Sequence, residues 1–179
     1  MNITVYCGSG TGNREIYRDA SVALGHWIAG NGHTLVYGGG NIGLMGILAD
    51  TVLRDGGRVI GVIPEFLLQH EHGHEGLHTL EIVPDMSKRK NRMIDLGDAY
   101  IAMPGGTGTL EEIAEAISQR RLRIHDNPCI FYNVDGFYDM MKPVFARMVE
   151  DDFCPKEDVS LIHYAADVNE IAEILSRIG

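Results

Sequence analysis

The sequence is short of cysteine, with only Cys7, Cys129 and Cys154. An odd number at wide spacing argues against a disulfide framework and against a clustered zinc site, so no metal is expected. No run approaches the 18 or so apolar residues of a membrane-spanning helix. No basic segment leads into an apolar one after Met1, so a secretory signal is not expected and the cytoplasm is the expected compartment. Positive charge is also scarce: 15 Lys and Arg stand against 25 Asp and Glu, a formal charge of −10. Such a surface repels a nucleic-acid backbone, so neither nucleic acid nor membrane is an expected partner. A Walker loop is missing, because no glycine turn carries Gly-Lys-Ser or Gly-Lys-Thr. The dinucleotide fingerprint is incomplete, since the second strand ends in Tyr37 and three glycines rather than in an acidic residue. No cofactor is expected.

What the chain has in plenty is glycine, 22 residues, much of it clustered. Clustered glycine permits tight turns and close approach of backbone to a ligand. A length of 179 residues suits one domain over 1–179, and a hydrophobic share of 45% is too high for disorder. Short apolar runs at 3–7, 34–37, 59–63, 80–83, 99–103, 129–132 and 159–162 read as strands. Helical spacing covers 15–29, 43–53, a segment to Leu96 capped by Ser87, a long stretch from Thr109 to about Arg123, 137–149, and a last helix capped by Asp167 whose apolar stripe ends at Ile178. The alternation predicts an α/β, Rossmann-like three-layer fold, a mainly parallel sheet covered by helices on both faces. Three glycine turns come directly after strands, behind Cys7, Tyr37 and Met103. They are expected to meet at one crevice beyond the carboxyl ends of the strands.

The segment Pro104-Gly105-Gly106-Thr107-Gly108-Thr109-Leu110-Glu111-Glu112 is the sharpest motif. Thr109 and Glu112 have capping-box spacing, which would explain both as structural. The glycines before them add open N–H groups at the positive end of a helix, a seat for phosphate. Glu112 then lies one turn in, beside whatever the phosphate carries. Lys88-Arg89-Lys90-Asn91-Arg92 sets four cations in an acidic chain, and cations at a helix start oppose the dipole unless an anion or nearby carboxylates answer them. Arg89 has planar donors suited to a phosphate or a purine edge.

Together, Tyr37 to Gly46, Met86 to Met93 and Pro104 to Glu112 resemble the LONELY GUY family, over nearly the whole chain. Its members are cytokinin riboside 5′-monophosphate phosphoribohydrolases, once labelled lysine decarboxylases. The resemblance implies a Rossmann-like homodimer that cleaves a nucleoside monophosphate to free base and ribose 5-phosphate. It places the catalytic pair on Arg89 and Glu112. Substrate contacts are implied at Gly8, Ser9, Gly39, Gly40, Met86, Lys90, Gly105, Gly106, Thr107, Gly108 and Thr109. The chain departs from the family at Ser87-Lys88 and in the basic stretch Gln119-Arg120-Arg121-Leu122-Arg123, which bears on the base recognised more than on the reaction. Cleaving a ribosyl bond builds positive charge on the sugar, which Glu112 would stabilise.

A binding or carrier protein for a phosphorylated ligand such as molybdenum cofactor is the alternative, and it needs no carboxylate at position 112. Lysine decarboxylation ranks third, since Lys88 and Lys90 sit in no evident cofactor site. His70, His72, His74 and His78 crowd one loop that reads as a lid, a solvated loop or a metal site. The stripe Phe137, Met140, Met141, Val144 and Phe145 reads as core or dimer surface.

Overall fold

The computed structural model describes residues 1–68 and 72–177. Seven parallel strands form one sheet in the order β4-β3-β2-β1-β5-β6-β7. They are β1 (Asn2–Tyr6), β2 (Thr34–Tyr37), β3 (Arg58–Pro64), β4 (Thr79–Val83), β5 (Ala99–Ala102), β6 (Cys129–Tyr132) and β7 (Ile162–Ala165). The interior strands read as unbroken apolar runs because both of their faces are covered. β5 and β6 are buried at every position, whereas the edge strand β4 is only half-buried.

Side chains alternate across the sheet and divide the core. Ile3, Val5 and Cys7 face α1 (Glu15–Gly30), α2 (Gly43–Arg54) and α7 (Val168–Ser176). Tyr6, Tyr100 and Ala102 face α3 (Met86–Leu96) and α4 (Thr107–Arg121). Helices thus cover both faces, as the alternation predicts. Gly25 lets α1 and α2 approach closely, since a Cβ there would lie 2.8 Å from Thr51. The strand order runs one way from β1 to β2 and the other way from β1 to β5. A crevice opens between their carboxyl ends, at the switch point of the topology.

Four expected boundaries move. Asp85, not Ser87, caps α3 by accepting from the Lys88 amide at 2.8 Å. α4 starts two residues before Thr109, with the extended Gly106 as its N-cap, so Thr109 and Glu112 form no capping box. The strand expected at 159–162 is β7, because Pro155 opens the short helix α6 (Lys156–Ser160) before it. The helix expected from Phe137 is α5 (Met141–Glu150); Asp135 and Gly136, both at positive φ, hold a 3₁₀ turn ahead of it. Asp167 caps α7 as expected, accepting from the Asn169 and Glu170 amides at 2.8 and 3.0 Å. Ile178 lies outside the described residues.

No residue of α5 is buried. Met140, Val144, Met148 and the nearby Phe153 lie exposed along it, and Phe137 is 40% exposed. Met141 and Phe145 pack against the core from the same helix. No helix among the described residues is long and apolar enough to cross a membrane.

Candidate active site

The three glycine turns do meet at the crevice. Gly8 donates its amide to the Pro104 carbonyl at 3.2 Å, and a Cβ on Gly8 would lie 3.4 Å from Gly105 Cα. Gly43, at φ +62°, packs directly on the Ser9 carbonyl, where a Cβ would overlap it. Glycine at 8, 43 and 105 therefore lets the turn after β1 lie backbone against backbone on the turn after β5 and on the start of α2, which the turn after β2 leads into.

A cavity of about 300 Å³ opens beside this junction. Its floor is Cys7, Gly8 and Ser9 at the end of β1. One wall is Gly106, Thr107, Gly108, Thr109 and Glu112 of α4, and the other is Met86 and Arg89 of α3 with Met45 and Leu67. Gly106, Thr107 and Gly108 are exposed. The first amide of α4 to bond within the helix is Leu110, which donates to the Gly106 carbonyl at 3.2 Å. The N–H groups of Thr107, Gly108 and Thr109 precede it, and the N-cap Gly106 has no side chain to cap this helix start. They present an anion seat at the positive end of the dipole.

Two buried side chains of opposite charge line the same cavity. Arg89 is 5% exposed and Glu112 8%. Arg89 Nε donates to the Val62 carbonyl at 3.1 Å and Nη2 to the Gly38 carbonyl at 3.0 Å, while Nη1 lies 3.8 Å from the Met86 sulfur. A buried guanidinium costs much free energy unless its donors are met. The carbonyls of Gly38, just after β2, and of Val62, within β3, meet two of them and fix the plane of the group. Glu112 sits in the second turn of α4, and α-helical side chains tilt toward the N-terminus, here toward the open amides. Behind the floor, the Tyr138 hydroxyl donates to the Met103 carbonyl at 2.6 Å, and burial pushes its pKa above the usual phenol range.

Of the residues singled out from sequence, Gly8, Ser9, Met86, Arg89, Gly106, Thr107, Gly108, Thr109 and Glu112 share this cavity. Gly105 lines a neighbouring hollow that also holds Gly8, Ser9 and Gly106, walled by Tyr17 and Phe137. Gly39, Gly40 and Lys90 are not on the cavity wall. Lys90 Nζ pairs with Glu111 at 2.7 Å and Glu115 at 2.9 Å on α4, which answers the cationic start of α3 with carboxylates. Gly39 packs on Ile63 and Leu80, and Gly40 bridges Gly73. Cys7, Met45 and Leu67 line the cavity although the sequence did not mark them for it. The position of Cys7 next to the first glycine turn is a signal that could have found it, whereas Leu67 comes from a stretch with no periodic pattern. The basic stretch at 119–123 turns elsewhere: Arg120 donates to the Leu161 carbonyl at 2.8 Å, and Arg121 lies 3.5 Å from Asp158. Among the described residues, no three His, Cys, Asp or Glu side chains are grouped to hold a metal; His70 lies outside them.

A family profile described as "possible lysine decarboxylase" matches residues 45–175. In fold, the chain is similar to the molybdenum cofactor carrier protein of Chlamydomonas reinhardtii (TM-score 0.77, 22% identity, 99% of this chain and 96% of that one). It is similar also to the molybdenum cofactor binding protein of Rippkaea orientalis (TM-score 0.76, 22% identity, with the same coverage). At that identity the likeness is one of fold alone. Sequence relatives are much nearer. A probable cytokinin riboside 5′-monophosphate phosphoribohydrolase of Oryza sativa subsp. japonica is 42% identical over 169 residues, covering 94% of this chain and 76% of the relative. A cytokinin riboside 5′-monophosphate phosphoribohydrolase of Arabidopsis thaliana is 42% identical over 176 residues, covering 98% and 81%. With two-fifths of the residues identical over nearly the whole chain, the chain belongs to the LONELY GUY family of phosphoribohydrolases.

Proposed function

We propose that the chain hydrolyses the N-glycosidic bond of nucleoside 5′-monophosphates of the cytokinin or purine class, releasing free base and ribose 5-phosphate. One observation carries the reading: uncapped amides of α4 and the buried carboxylate of Glu112 line one cavity with a fixed guanidinium. The 5′-phosphate docks on the amides of Thr107, Gly108 and Thr109, and Gly8 and Ser9 close the seat from β1. That anchor brings the ribose to Glu112. As the C1′–N bond breaks, its electron pair leaves with the base and the sugar becomes cationic. Glu112 stabilises that charge, orients the ribose hydroxyls and assists the water whose oxygen bonds to C1′; the one proton that water gives up balances the one the departing base nitrogen takes on. Arg89 offsets negative charge on the departing base. Met45, Leu67 and Met86 give the base an apolar wall. Phosphate binding positions the reacting centre and is realised in the rate.

A cytoplasmic location fits the three free cysteines. The homodimer expected for the family would find its interface on the exposed α5 stripe, and sedimentation of the protein gives the test: a strict monomer removes this assignment.

The chemistry is tested by incubating the protein with AMP, isopentenyladenosine 5′-monophosphate and other nucleoside monophosphates, and separating the products. Free base is the expected product, and its absence from the whole panel defeats the reading. Glu112→Gln should lose turnover by about 10²–10⁴-fold while still binding nucleotide. Turnover at the parent rate would remove Glu112 from its role.

A further inference from the structure

The histidine-bearing connection between β3 and β4 supplies one wall of the cavity through Leu67. Its later part is stitched to the glycine turn after β2. Asn41 donates its amide to the His72 carbonyl, and the His74 amide donates to the Gly39 carbonyl, both at 3.0 Å. These bonds frame an antiparallel bridge between Gly40 and Gly73. The Gly73 amide turns back to the Leu68 carbonyl at 3.1 Å, next to Leu67. On the turn side, Gly38 precedes Gly39, and the Gly38 carbonyl holds Arg89 Nη2. A single stitch therefore borders both the apolar wall and the seat of the guanidinium.

The stitch has an anchor. The His74 side chain is buried, at 7% exposure, and both ring nitrogens are engaged. Nδ1 accepts from the Gly76 amide at 3.0 Å, so the ring proton belongs on Nε2, which lies 3.1 Å from Asp50 Oδ1 on α2. The ring thus ties the connection to a helix of the core. A plain solvated loop has no need of a buried imidazole with two partners.

We propose that His74, clamped between Asp50 and the Gly76 amide, is a positioning residue for the reaction, fixing Leu67 and, through the Gly38–Gly40 turn, the guanidinium of Arg89. This rests on the reading of the cavity as a nucleotide site. His74 touches no reacting atom. It acts by keeping two walls in register, which is felt when the ligand is bound as well as at the transition state.

The experiment compares His74→Ala, His74→Asn and Asp50→Ala with the parent. His74→Ala is expected to raise KM for AMP about ten-fold while kcat falls no more than about three-fold. His74→Asn should recover much of that KM, because an asparagine oxygen can accept the amide two residues on. Asp50→Ala removes an exposed carboxylate and leaves the fold intact, so it serves if His74→Ala does not fold; its KM should rise about three-fold. Hydrogen exchange supplies a readout independent of turnover. In the variants the Asn41 and His74 amides should exchange faster while the α4 amides from Ile113 onward stay as in the parent. Unchanged KM and unchanged exchange at Asn41 in a folded His74→Ala protein would overturn the proposal, as would faster exchange spread evenly over the chain. If the parent cleaves no nucleotide, the reaction assigned above fails, and the exchange data still decide whether the clamp holds the turn.

Discussion

Two glycine turns at the mouth of the sheet have nearly the same composition and opposite uses. Gly38-Gly39-Gly40 is closed: its first carbonyl grips Arg89, and its later residues pair with His72 to His74. Gly105-Gly106-Thr107-Gly108 is open: Gly106, Thr107 and Gly108 line the cavity, and the N-cap Gly106 has no side chain to cap the helix start. One turn offers oxygens to a cation of the protein; in the function proposed above, the other offers N–H groups to the phosphate of the substrate. The difference lies in where each turn delivers the chain. After Gly40 the chain enters α2 through Ile42 with the β3–β4 connection laid across the turn, whereas after Gly106 it enters α4 directly at the cavity. Glycine content alone says only that backbone is accessible; the neighbours decide which end of the peptide dipole is presented.

The sharpest way to break this contrast is Gly38→Ala. A Cβ there would overlap Arg89 Nη2 and lie 3.1 Å from the Met45 sulfur, so the guanidinium must leave its seat. A loss of about 100-fold in kcat/KM is expected, about 3 kcal/mol of transition-state stabilisation. Parent-like kinetics would show that the closed turn is a passive support.

Gly108→Ala should act on the open turn in the other direction. Its Cβ would meet nothing within 4 Å, and alanine suits a helix better than glycine by roughly 0.5–1 kcal/mol. Melting temperature is expected to rise by about 1–3 °C. At the same time KM for a nucleotide should rise about 3–10-fold as the methyl crowds the phosphate seat, and protection by inorganic phosphate against heat should weaken. A variant that is more stable and binds as well as the parent would place the phosphate elsewhere.

Mild acid should have the smallest effect and separates both turns from the sheet beneath them. Burial holds His125 and His163 below the usual histidine range. The His125 ring accepts from the Asn127 amide at 3.2 Å and lies 3.1 Å from the Ala116 carbonyl, an arrangement that uses its neutral form. Their contribution to stability is complete above about pH 6.5 and declines as pH falls below it through the folded values, because the unfolded chain then takes up more protons. A fall of about 1–2 °C in melting temperature is expected between about pH 7 and pH 5.5, measured by calorimetry. Replacing His125 by Asn should flatten that slope without altering KM at neutral pH.

The strands and the meeting of the turns were legible because they depend on local pattern: apolar runs for a sheet buried on both faces, and glycine where backbones touch. Arg89 and Glu112 stood out as ligand candidates from charge and spacing, beside a solvated helix face and a capping box as plainer accounts; the resemblance added their pairing, and the packing of α3 and α4 brings both to one cavity. The capping box failed because the helix starts at Thr107, two residues before Thr109, with Gly106 as its N-cap, a choice set by backbone geometry that a side-chain pattern does not encode. Lys90 was placed at the ligand by the resemblance, while its charge left an anion or nearby carboxylates as answers. The packing of α3 on α4 brings Glu111 and Glu115 to it instead, a contact across 21 and 25 residues of chain that spacing does not reveal. The loop with the histidines gave no period to read, and the use of His74 depends on Asp50 from an earlier helix.

The first strand occupies the middle of the sheet, and Ile3 finds its partner Ala99 only after almost a hundred intervening residues. During synthesis at about 5–20 residues per second, β1 must wait on the order of 5–20 s for β5 to emerge. Until then one flank of that strand is an unpaired edge, open to wrong partners. The cavity straddles this same seam, so it is among the last parts of the molecule to exist. Slow translation or a truncated chain should therefore yield half-sheets that are sticky and inert, and the burden on folding helpers should fall in that interval.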